Sequence, residues 1–369
     1  MKVAFMGRSL RGRYTGVVRY TDALVRALAP RLEGDLSVFL TRAADGLDGV
    51  DIRRVRAPFP TPNEYARALW EQTIVPIEVS RLGSDVYHSP NYILPLALRC
   101  PAVVTVHDIA FLDRTLHRLR SHLYLSALTR HALNVARRII CVSAHTGDLL
   151  AERLPSTRER IRVVGEGVDE RFRPQPEALV QEFREKFGLD RSYVLFVGTH
   201  EPRKNLDRLI QAYELAIERT GSEHLLAIAG VRGWKDEAVQ RALHASPARD
   251  RIRLLGYVPD ELLPAAYTGA DAFVYPSLLE GFGLPPLEAM ACGAAVLTSN
   301  TSSLPEVVGN AALTVDPLDV EEIAAALQRL ICDRELRLSL GAAGRMRSEQ
   351  FRWAQVAEQT MAVYAEAAG

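Results

Sequence analysis

Short apolar runs alternate with amphipathic stretches along both halves of this 369-residue chain, and this alternation restricts the fold more than any other feature. In the first half, VAFMG at residues 3–7 precedes VVRYTDALVRALA at 17–29, whose apolar residues recur at helical spacing. The second half restarts with SYVLFVG at 192–198, followed by the helical stretch NLDRLIQAYELAIER at 205–219. The pattern predicts an α/β protein with two doubly wound parallel sheets. Ligands bind such sheets at the carboxyl ends of their strands.

The segment VVGEGVDERFRP at residues 163–174 separates the two halves and is rich in glycine, charge and proline. It predicts a crossover between an N-terminal domain over residues 1–172 and a C-terminal domain over residues 173–350. FRWAQVAEQTMAVYAEA predicts a last helix in residues 351–369, and we expect this segment to pack back on the first domain. The length and the 48% hydrophobic content are sufficient for two such cores.

Charge is distributed unevenly, although the formal net charge is zero. Residues 1–172 carry 25 Lys+Arg against 18 Asp+Glu, or +7, and the remainder carries 20 against 27, or −7. A basic first half suits an anionic lipid surface or acceptor, or attraction between the halves across a cleft, and both interpretations stay open.

The four cysteines show no metal-ligand spacing, and no apolar run is long enough for a signal peptide or a membrane span. We expect a cytoplasmic protein with reduced thiols and no nucleic-acid partner, with peripheral contact at the inner membrane face left open.

The stretch EGFGLPPLE, residues 280–288, places a glutamate at each end of a loop that contains two glycines and two prolines. It follows the predicted strand DAFVYPS, and its prolines suit the first turn of a helix. Glu280 then lies in the loop and Glu288 in the first or second helical turn. Exposed N–H groups at a helix N-terminus attract phosphate oxygens, whereas carboxylates accept from sugar hydroxyls. The stretch indicates a nucleotide sugar; the alternative is a helix N-terminus without a ligand.

This stretch resembles the E-x7-E motif of the family-4 retaining glycosyltransferases, which have the two-domain GT-B fold. The run GADAFVYPSLLEGFGLPPLEAMACGAAVLTSNTSSLPEVVGNAALTVDP, the linker GEGVDERFRP and the stretch VGTHEPRKNLDRLI are also similar to that family. The resemblance covers nearly the whole chain and is weakest over residues 30–80. It implies two Rossmann-like domains that face a central cleft, with the donor site mostly in the second.

In the second domain, the resemblance implies that Glu288 holds the ribose hydroxyls of the donor and that Glu280 contacts the donor sugar. It also implies that backbone groups hold the sugar, the diphosphate and the base. These residues are Gly281, Phe282, Gly283 and Leu284 for the sugar and diphosphate, and Tyr257 and Val258 for the base.

In the first domain, Gly16 in the loop GRYTGVVRY resembles the glycine that lies against the donor phosphate. The loop lacks the G-x-G-x-x-G pattern of dinucleotide-binding proteins, and a plain turn is the alternative. His107, at the end of the predicted strand AVVTVHD, resembles the family histidine whose backbone carbonyl lies near the reacting carbon. The alternative is a strand-end histidine that is bonded to a neighbouring carboxylate.

Two adjacent cations, Arg203 and Lys204, precede the helix that starts near Asn205. Their charges oppose the helix dipole, so we expect them to neutralise a leaving diphosphate without a metal ion. No Asp-x-Asp motif is present to hold one. Many relatives carry arginine directly after the strand-ending glycine, where this chain has Thr199; the family branch with PRKN places that arginine at 203. We interpret Glu280 as a positioning group, because a front-face displacement needs no carboxylate nucleophile.

The segment at residues 113–138 predicts a basic amphipathic helix, with leucines on one face. Such a helix binds an anionic membrane surface, or it packs on the core and leaves its basic face in solvent. Both interpretations stay open.

The resemblance implies a retaining hexosyltransferase, and the cation pair without an Asp-x-Asp motif predicts that it uses no metal ion and no cofactor beyond its GDP- or UDP-linked donor sugar. PRKN and FRWAQVAEQTMAVY resemble mannosyltransferases that extend cell-surface polysaccharide, so we expect mannose from GDP-mannose and a saccharide or lipid-linked acceptor. The alternatives are transfer of glucose or another hexose from UDP to a small molecule, and an epimerase or phosphorylase on the same scaffold. A nucleotide-sugar-binding protein without catalytic activity is the non-enzyme alternative.

Overall fold

The computed structural model describes residues 1–10, 16–44, 46–109, 128–233 and 236–369. The chain divides into two compact units, one made of Met1–Gly167 with Trp353–Gly369, the other of Val168–Arg352. The C-terminal helix therefore belongs to the first unit, whereas residues 168–172 and 351–352 belong to the second. Residues 11–15 of the Gly16 loop, and most of the predicted basic helix, lie outside the described residues.

The first unit contains a seven-stranded sheet in the order β3-β2-β1-β4-β5-β6-β7, with every neighbouring pair parallel. Its strands are β1 (Val3–Met6), β2 (Leu36–Leu40), β3 (Arg53–Arg56), β4 (Val86–Ser89), β5 (Ala102–Val106), β6 (Arg138–Cys141) and β7 (Ile161–Val163). Its helices are α1 (Gly16–Leu32), α2 (Glu64–Leu82), α3 (Ala144–Arg153), a helical segment at 128–135 and the C-terminal helix (Trp353–Ala368). The central strands are fully buried and mostly apolar, as is typical of parallel strands covered on both faces.

The second unit contains a six-stranded parallel sheet in the order β10-β9-β8-β11-β12-β13. Its strands are β8 (Tyr193–Val197), β9 (Leu225–Ala229), β10 (Ile252–Gly256), β11 (Ala272–Tyr275), β12 (Val296–Ser299) and β13 (Leu313–Val315). Its helices are α4 (Glu177–Phe187), α5 (Leu206–Thr220), α6 (Glu237–Ala245), α7 (Leu263–Thr268), α8 (Leu284–Ala291), α9 (Leu304–Val308), α10 (Val320–Cys332) and α11 (Arg334–Ser348). Because β8 and β11 are neighbours, the loops that follow them meet at one edge of the sheet.

Local chemistry explains where several helices begin. The side chain of Ser143 accepts from the amide of Thr146 and caps α3, as serine before a helix predicts. Helix α8 carries its proline pair in the first turn, which confirms the prediction for EGFGLPPLE. Among the described helices, none combines the length and the apolar character that crossing a membrane requires.

A buried chain of polar groups ties the C-terminal helix to the sheet of the first unit. His88 Nδ1 lies 2.6 Å from the hydroxyl of Tyr364, and His88 Nε2 lies 2.9 Å from the hydroxyl of Thr105. Thr105 in turn lies 3.1 Å from the hydroxyl of Tyr20 on α1. Burial, and to a smaller extent the nearby His107, lowers the pKa of His88 to about 3. His88 is therefore a neutral hydrogen-bonding group in the folded protein.

The low pKa of His88 in the folded protein predicts that the protein loses stability as the pH is lowered. The unfolded chain binds a proton at His88 near its ordinary pKa of 6.5, whereas the folded chain does so only near 3. Between these pH values the unfolded state holds more protons than the folded state. The free energy of unfolding therefore decreases as the pH is lowered, by at most about 1.4 kcal/mol per pH unit. Urea unfolding at a series of pH values should show a shallower dependence in His88→Gln, whereas His244→Gln, at an exposed histidine, should keep the wild-type slope. An unchanged slope in His88→Gln would contradict this account.

Candidate active site

Two loops at the carboxyl edge of the second sheet are tied together by their backbones. The carbonyl of Arg203, in the loop after β8, accepts from the amide of Leu278 at 2.7 Å and lies 2.9 Å from Ser277 Oγ. Asn205 adopts a left-handed conformation with φ 60° and donates from Nδ2 to the carbonyls of Pro276 and Pro317. The residues that carry charge in the two loops therefore have fixed relative positions.

Glu280 is the centre of a cluster of opposite charges in these loops. Its Oε1 accepts from Lys204 Nζ at 2.5 Å and from Ser277 Oγ at 2.6 Å. Its Oε2 accepts from Arg203 Nη1 at 3.0 Å. Arg203 also donates from Nε to Glu201 at 3.1 Å. The structure thus brings Glu280, which the sequence assigned to the donor sugar, together with Arg203 and Lys204, which it assigned to the diphosphate.

The two cations of this cluster differ in exposure. The side chain of Lys204 is 7% exposed, and its Nζ also donates to the hydroxyl of Tyr275. Arg203 is 43% exposed and can reach a ligand without leaving the cluster. A solvated helix N-terminus, the alternative interpretation of this pair of cations, therefore does not describe Lys204.

Burial and charge act against each other on the ionisable groups of the cluster. Burial alone would raise the pKa of Glu280, but the charges of Lys204 and Arg203 lower it to about 2. Burial lowers the pKa of Lys204, and the Glu280 carboxylate opposes this effect. Burial, with the nearby carboxylate of Glu280, raises the pKa of Tyr275 well above its usual range. Glu280 is therefore an ionised carboxylate at neutral pH, and Tyr275 is a neutral phenol.

Two backbone carbonyls of the loop that leads into α8 point towards the side chain of Ser303. Ser303 Oγ lies 3.0 Å from the carbonyl of Glu280 and 2.7 Å from that of Phe282, and its hydroxyl can donate to either. Gly283 has φ 122°, and a Cβ there would lie 2.9 Å from Leu304, so the turn requires glycine. Among the described residues, no acceptor is recorded for the amides of Gly283 and Leu284. This helix N-terminus can therefore offer N–H groups to an anion.

The second glutamate of the motif lies deeper than the first. Glu288, in the second turn of α8, is buried, and its Oε2 accepts from the hydroxyl of Tyr267 at 3.0 Å.

The predicted base-binding residues follow β10, two strands from β8 at the same edge: Tyr257 is 48% exposed, whereas Val258 is buried. Thr199 is half-buried after β8, and its carbonyl accepts from the amide of Glu201 at 2.9 Å. Gly281 lies in the loop before α8 and is half-buried. The roles assigned to these residues stay predictions.

In the first unit, His107 follows β5, and each of its two ring nitrogens lies within hydrogen-bond distance of another group. Its Nε2 lies 3.0 Å from the carbonyl of Pro90, which can only accept, so Nε2 carries a hydrogen. Its Nδ1 lies 3.1 Å from Oε1 of the buried Glu166, and the ring of Tyr20 packs edge-on at 4.6 Å. Both ring nitrogens are engaged, so the backbone is the part of His107 available for the predicted contact.

Gly16 is exposed at the start of α1, and a Cβ built on it would meet no atom of the described residues within 4 Å. Neighbouring atoms therefore do not require glycine at this position, and the predicted contact with a donor phosphate stays a prediction.

Several residues around these sites were missed by the sequence analysis. They are Tyr275 and Ser277 at the end of β11, Ser303 beneath the loop, Tyr267 beside Glu288, and Glu166 beside His107. Ser277 had a detectable signal, because a hydroxyl three residues before a loop glutamate can reach it. Tyr275 and Glu166 had none, because their partners are distant in sequence. In the described part of the chain, no group of three or more His, Cys, Asp or Glu residues is arranged to hold a metal ion.

Comparison with known proteins places this geometry in a family. Residues 14–172 match the model of Glycosyltransferase Family 4, and residues 180–347 match that of Glycosyl transferases group 1. O-antigen chain mannosyltransferase B of Escherichia coli is 33% identical over 99% of both chains. A GDP-mannose-dependent alpha-(1-6)-phosphatidylinositol monomannoside mannosyltransferase of Mycobacterium tuberculosis is 33% identical over 51% of each chain.

Among solved structures, sucrose-phosphate synthase from Thermosynechococcus elongatus superposes with a TM-score of 0.80 at 21% identity, covering 99% of this chain and 98% of that one. This likeness and the two parallel sheets confirm the predicted GT-B fold. The family models together extend over most of the sequence, and the E. coli relative matches it from end to end. This chain therefore belongs to the family-4 glycosyltransferases, in which a family-4 domain is followed by a group 1 glycosyl transferase domain.

Proposed function

We propose that this glycosyltransferase moves mannose from GDP-mannose, with retention of anomeric configuration and without a metal ion or other cofactor. We propose as its acceptor a saccharide or lipid-linked saccharide of a cell-surface polysaccharide. The observation that carries this proposal is the end-to-end match with an O-antigen chain mannosyltransferase. The GDP-mannose-dependent relative supports the choice of donor.

Within the charge cluster of the second unit, Arg203, Lys204 and Glu280 each have a proposed role in this reaction. Arg203 and the amides at the start of α8 would stabilise the negative charge that develops on the departing GDP. Lys204 would keep Glu280 ionised and oriented. Within the described part of the chain, Arg203 is the one recorded donor to Oε2 of Glu280, so this oxygen can also accept from a hydroxyl of the donor sugar. A phosphate oxygen can take the proton of the acceptor, so the reaction requires no protein base.

The proposal is tested with a panel of nucleotide sugars that includes GDP-mannose, GDP-glucose, UDP-glucose and UDP-galactose. We expect GDP-mannose to raise the melting temperature and to release GDP slowly by hydrolysis when no acceptor is present. We expect transfer to proceed in EDTA and to give the α-linked product, as read from the anomeric proton. Activity with UDP-sugars alone would overturn the donor, loss of activity in EDTA would overturn metal independence, and a β-linked product would overturn retention.

A further inference from the structure

Residues 298–303, TSNTSS, form the end of β12 and the loop after it, and their hydroxyl groups contact the neighbouring backbone around the end of β11. Thr298 Oγ1 donates to the carbonyl of Tyr275 at 2.8 Å, and Ser299 Oγ donates to that of Ser277 at 2.7 Å. Both hydroxyl-bearing side chains are fully buried. The loop that leads into α8 is therefore anchored to β12 at two points where it leaves the sheet.

Two further hydroxyls extend this contact to the part of the loop that carries the first glutamate of the motif. Ser302 Oγ accepts from the amide of Glu280 at 3.2 Å. Ser303 is fully buried, and the carbonyl of Phe282, at 2.7 Å, is the nearer of the two acceptors of its hydroxyl. The glycines of this loop would otherwise give its backbone wide conformational freedom. The two serines therefore restrict a segment that its own sequence leaves flexible.

Ser302 adopts a backbone conformation that serine rarely takes. Its φ is 57°, in the left-handed region, where residues other than glycine and asparagine are strained. A glycine would take this conformation at no steric cost, so the backbone geometry alone favours glycine here. The hydrogen bond from the amide of Glu280 is a contact that glycine could not make, and it gives a physical reason for the serine.

Ser303 determines the direction of a backbone N–H at the start of α8. In a planar trans peptide, the carbonyl and the N–H that follows it point in opposite directions. Because the carbonyl of Phe282 points towards Ser303 Oγ, the N–H of Gly283 points away from it. Among the described residues no acceptor is recorded for this N–H, and it lies at a helix N-terminus, where anions are favoured.

We propose that Ser302 and Ser303 are positioning residues for sugar transfer. Ser303 directs the N–H of Gly283 at the diphosphate of the donor, and Ser302 fixes the backbone from which the Glu280 side chain projects. Both act through another residue, and their effect is to set the shape of the loop before the donor binds. Backbone amides that are oriented in advance stabilise developing charge without reorganisation. This inference rests on the proposed function and adds the residues that organise its diphosphate site.

Ser303→Ala tests the direction of the N–H, because it removes the hydroxyl beside the carbonyl of Phe282. Calorimetric titration should show GDP bound about tenfold more weakly than by the wild type and guanosine bound within twofold, since guanosine has no diphosphate for the amide of Gly283. The kcat with GDP-mannose and a mannoside acceptor should also fall about tenfold. Ser246→Ala is the matched control and should behave as the wild type does. Ser246 is buried, accepts from the amide of Ala248 at 3.2 Å, and precedes β10, whereas the site follows the strands.

Ser302→Gly separates positioning from folding. Relief of the left-handed strain opposes the loss of the hydrogen bond, so the melting temperature should stay within about 3 °C of the wild type while kcat falls about tenfold. Ser302→Asn should recover most of the lost kcat, because asparagine tolerates this conformation and its side-chain oxygen can accept from the amide of Glu280.

Three results would overturn the inference. They are wild-type affinity for GDP in Ser303→Ala, a loss of affinity for guanosine equal to that for GDP, and wild-type kcat in Ser302→Gly. A kcat that falls in Ser302→Gly only together with the melting temperature would assign this serine to folding and would also contradict the inference. Failure of the proposed function would be seen separately, in a wild-type protein that does not bind GDP or transfer sugar.

Discussion

Replacing Lys204 with methionine is expected to lower the free energy of unfolding by about 3 kcal/mol. The change leaves the Glu280 carboxylate buried without the partner at 2.5 Å from its Oε1. Removing one member of a buried ion pair costs about 3–5 kcal/mol, and the lower end applies because Arg203 and Ser277 still donate to Glu280. Urea or thermal unfolding of the purified variant measures the effect.

A second variant identifies the cause of this loss. Lys204→Met/Glu280→Gln also removes the buried charge, so we expect it to recover most of the stability that the single variant loses. Lys186→Met, at an exposed lysine of α4, should unfold as the wild type does. A double variant that is less stable than Lys204→Met would contradict the pairing. Because Lys204 has this structural role, lost activity after its substitution does not by itself assign it to catalysis.

Replacing Arg203 with alanine is expected to lower kcat for sugar transfer about 100- to 1000-fold, the usual cost of removing a group that stabilises transition-state charge. The side chain is 43% exposed, and Glu280 keeps Lys204 as its partner, so the melting temperature should change little. Steady-state kinetics with GDP-mannose and a mannoside acceptor measures the loss. Arg219→Gln, at an arginine of α5, breaks a surface ion pair with Glu321 of α10 and serves as the matched control. Near wild-type turnover in Arg203→Ala would remove this residue from the proposed chemistry.

The sequence predicted the elements that position the site because each has a strong local signal. The strand that becomes β11 is a buried apolar run, and the glycines and prolines after it determine the turn and the start of α8. By contrast, β3 reads RRVR and was missed, because it is a mostly exposed edge strand without apolar alternation. The three-residue strands β7 and β13 are too short to carry a periodic pattern.

The arrangement within the site could not be predicted, because it depends on contacts between distant residues. Lys204 and Glu280 are 76 positions apart, and only the pairing of β8 with β11 brings their loops together. The sequence therefore assigned the glutamate to the sugar and the cations to the diphosphate, without the ion cluster that joins them. Similarly, Glu166 lies 59 positions from His107, and its contact follows from tertiary packing.

The central claim is that the loops around Arg203 and the start of α8 bind the diphosphate of the donor, and calorimetric titration with GDP and with guanosine tests it most directly. We predict that GDP binds the wild-type protein at least about tenfold more tightly than guanosine, and that Arg203→Ala loses most of this difference. Equal affinities for GDP and guanosine, or an undiminished difference in Arg203→Ala, would contradict the claim.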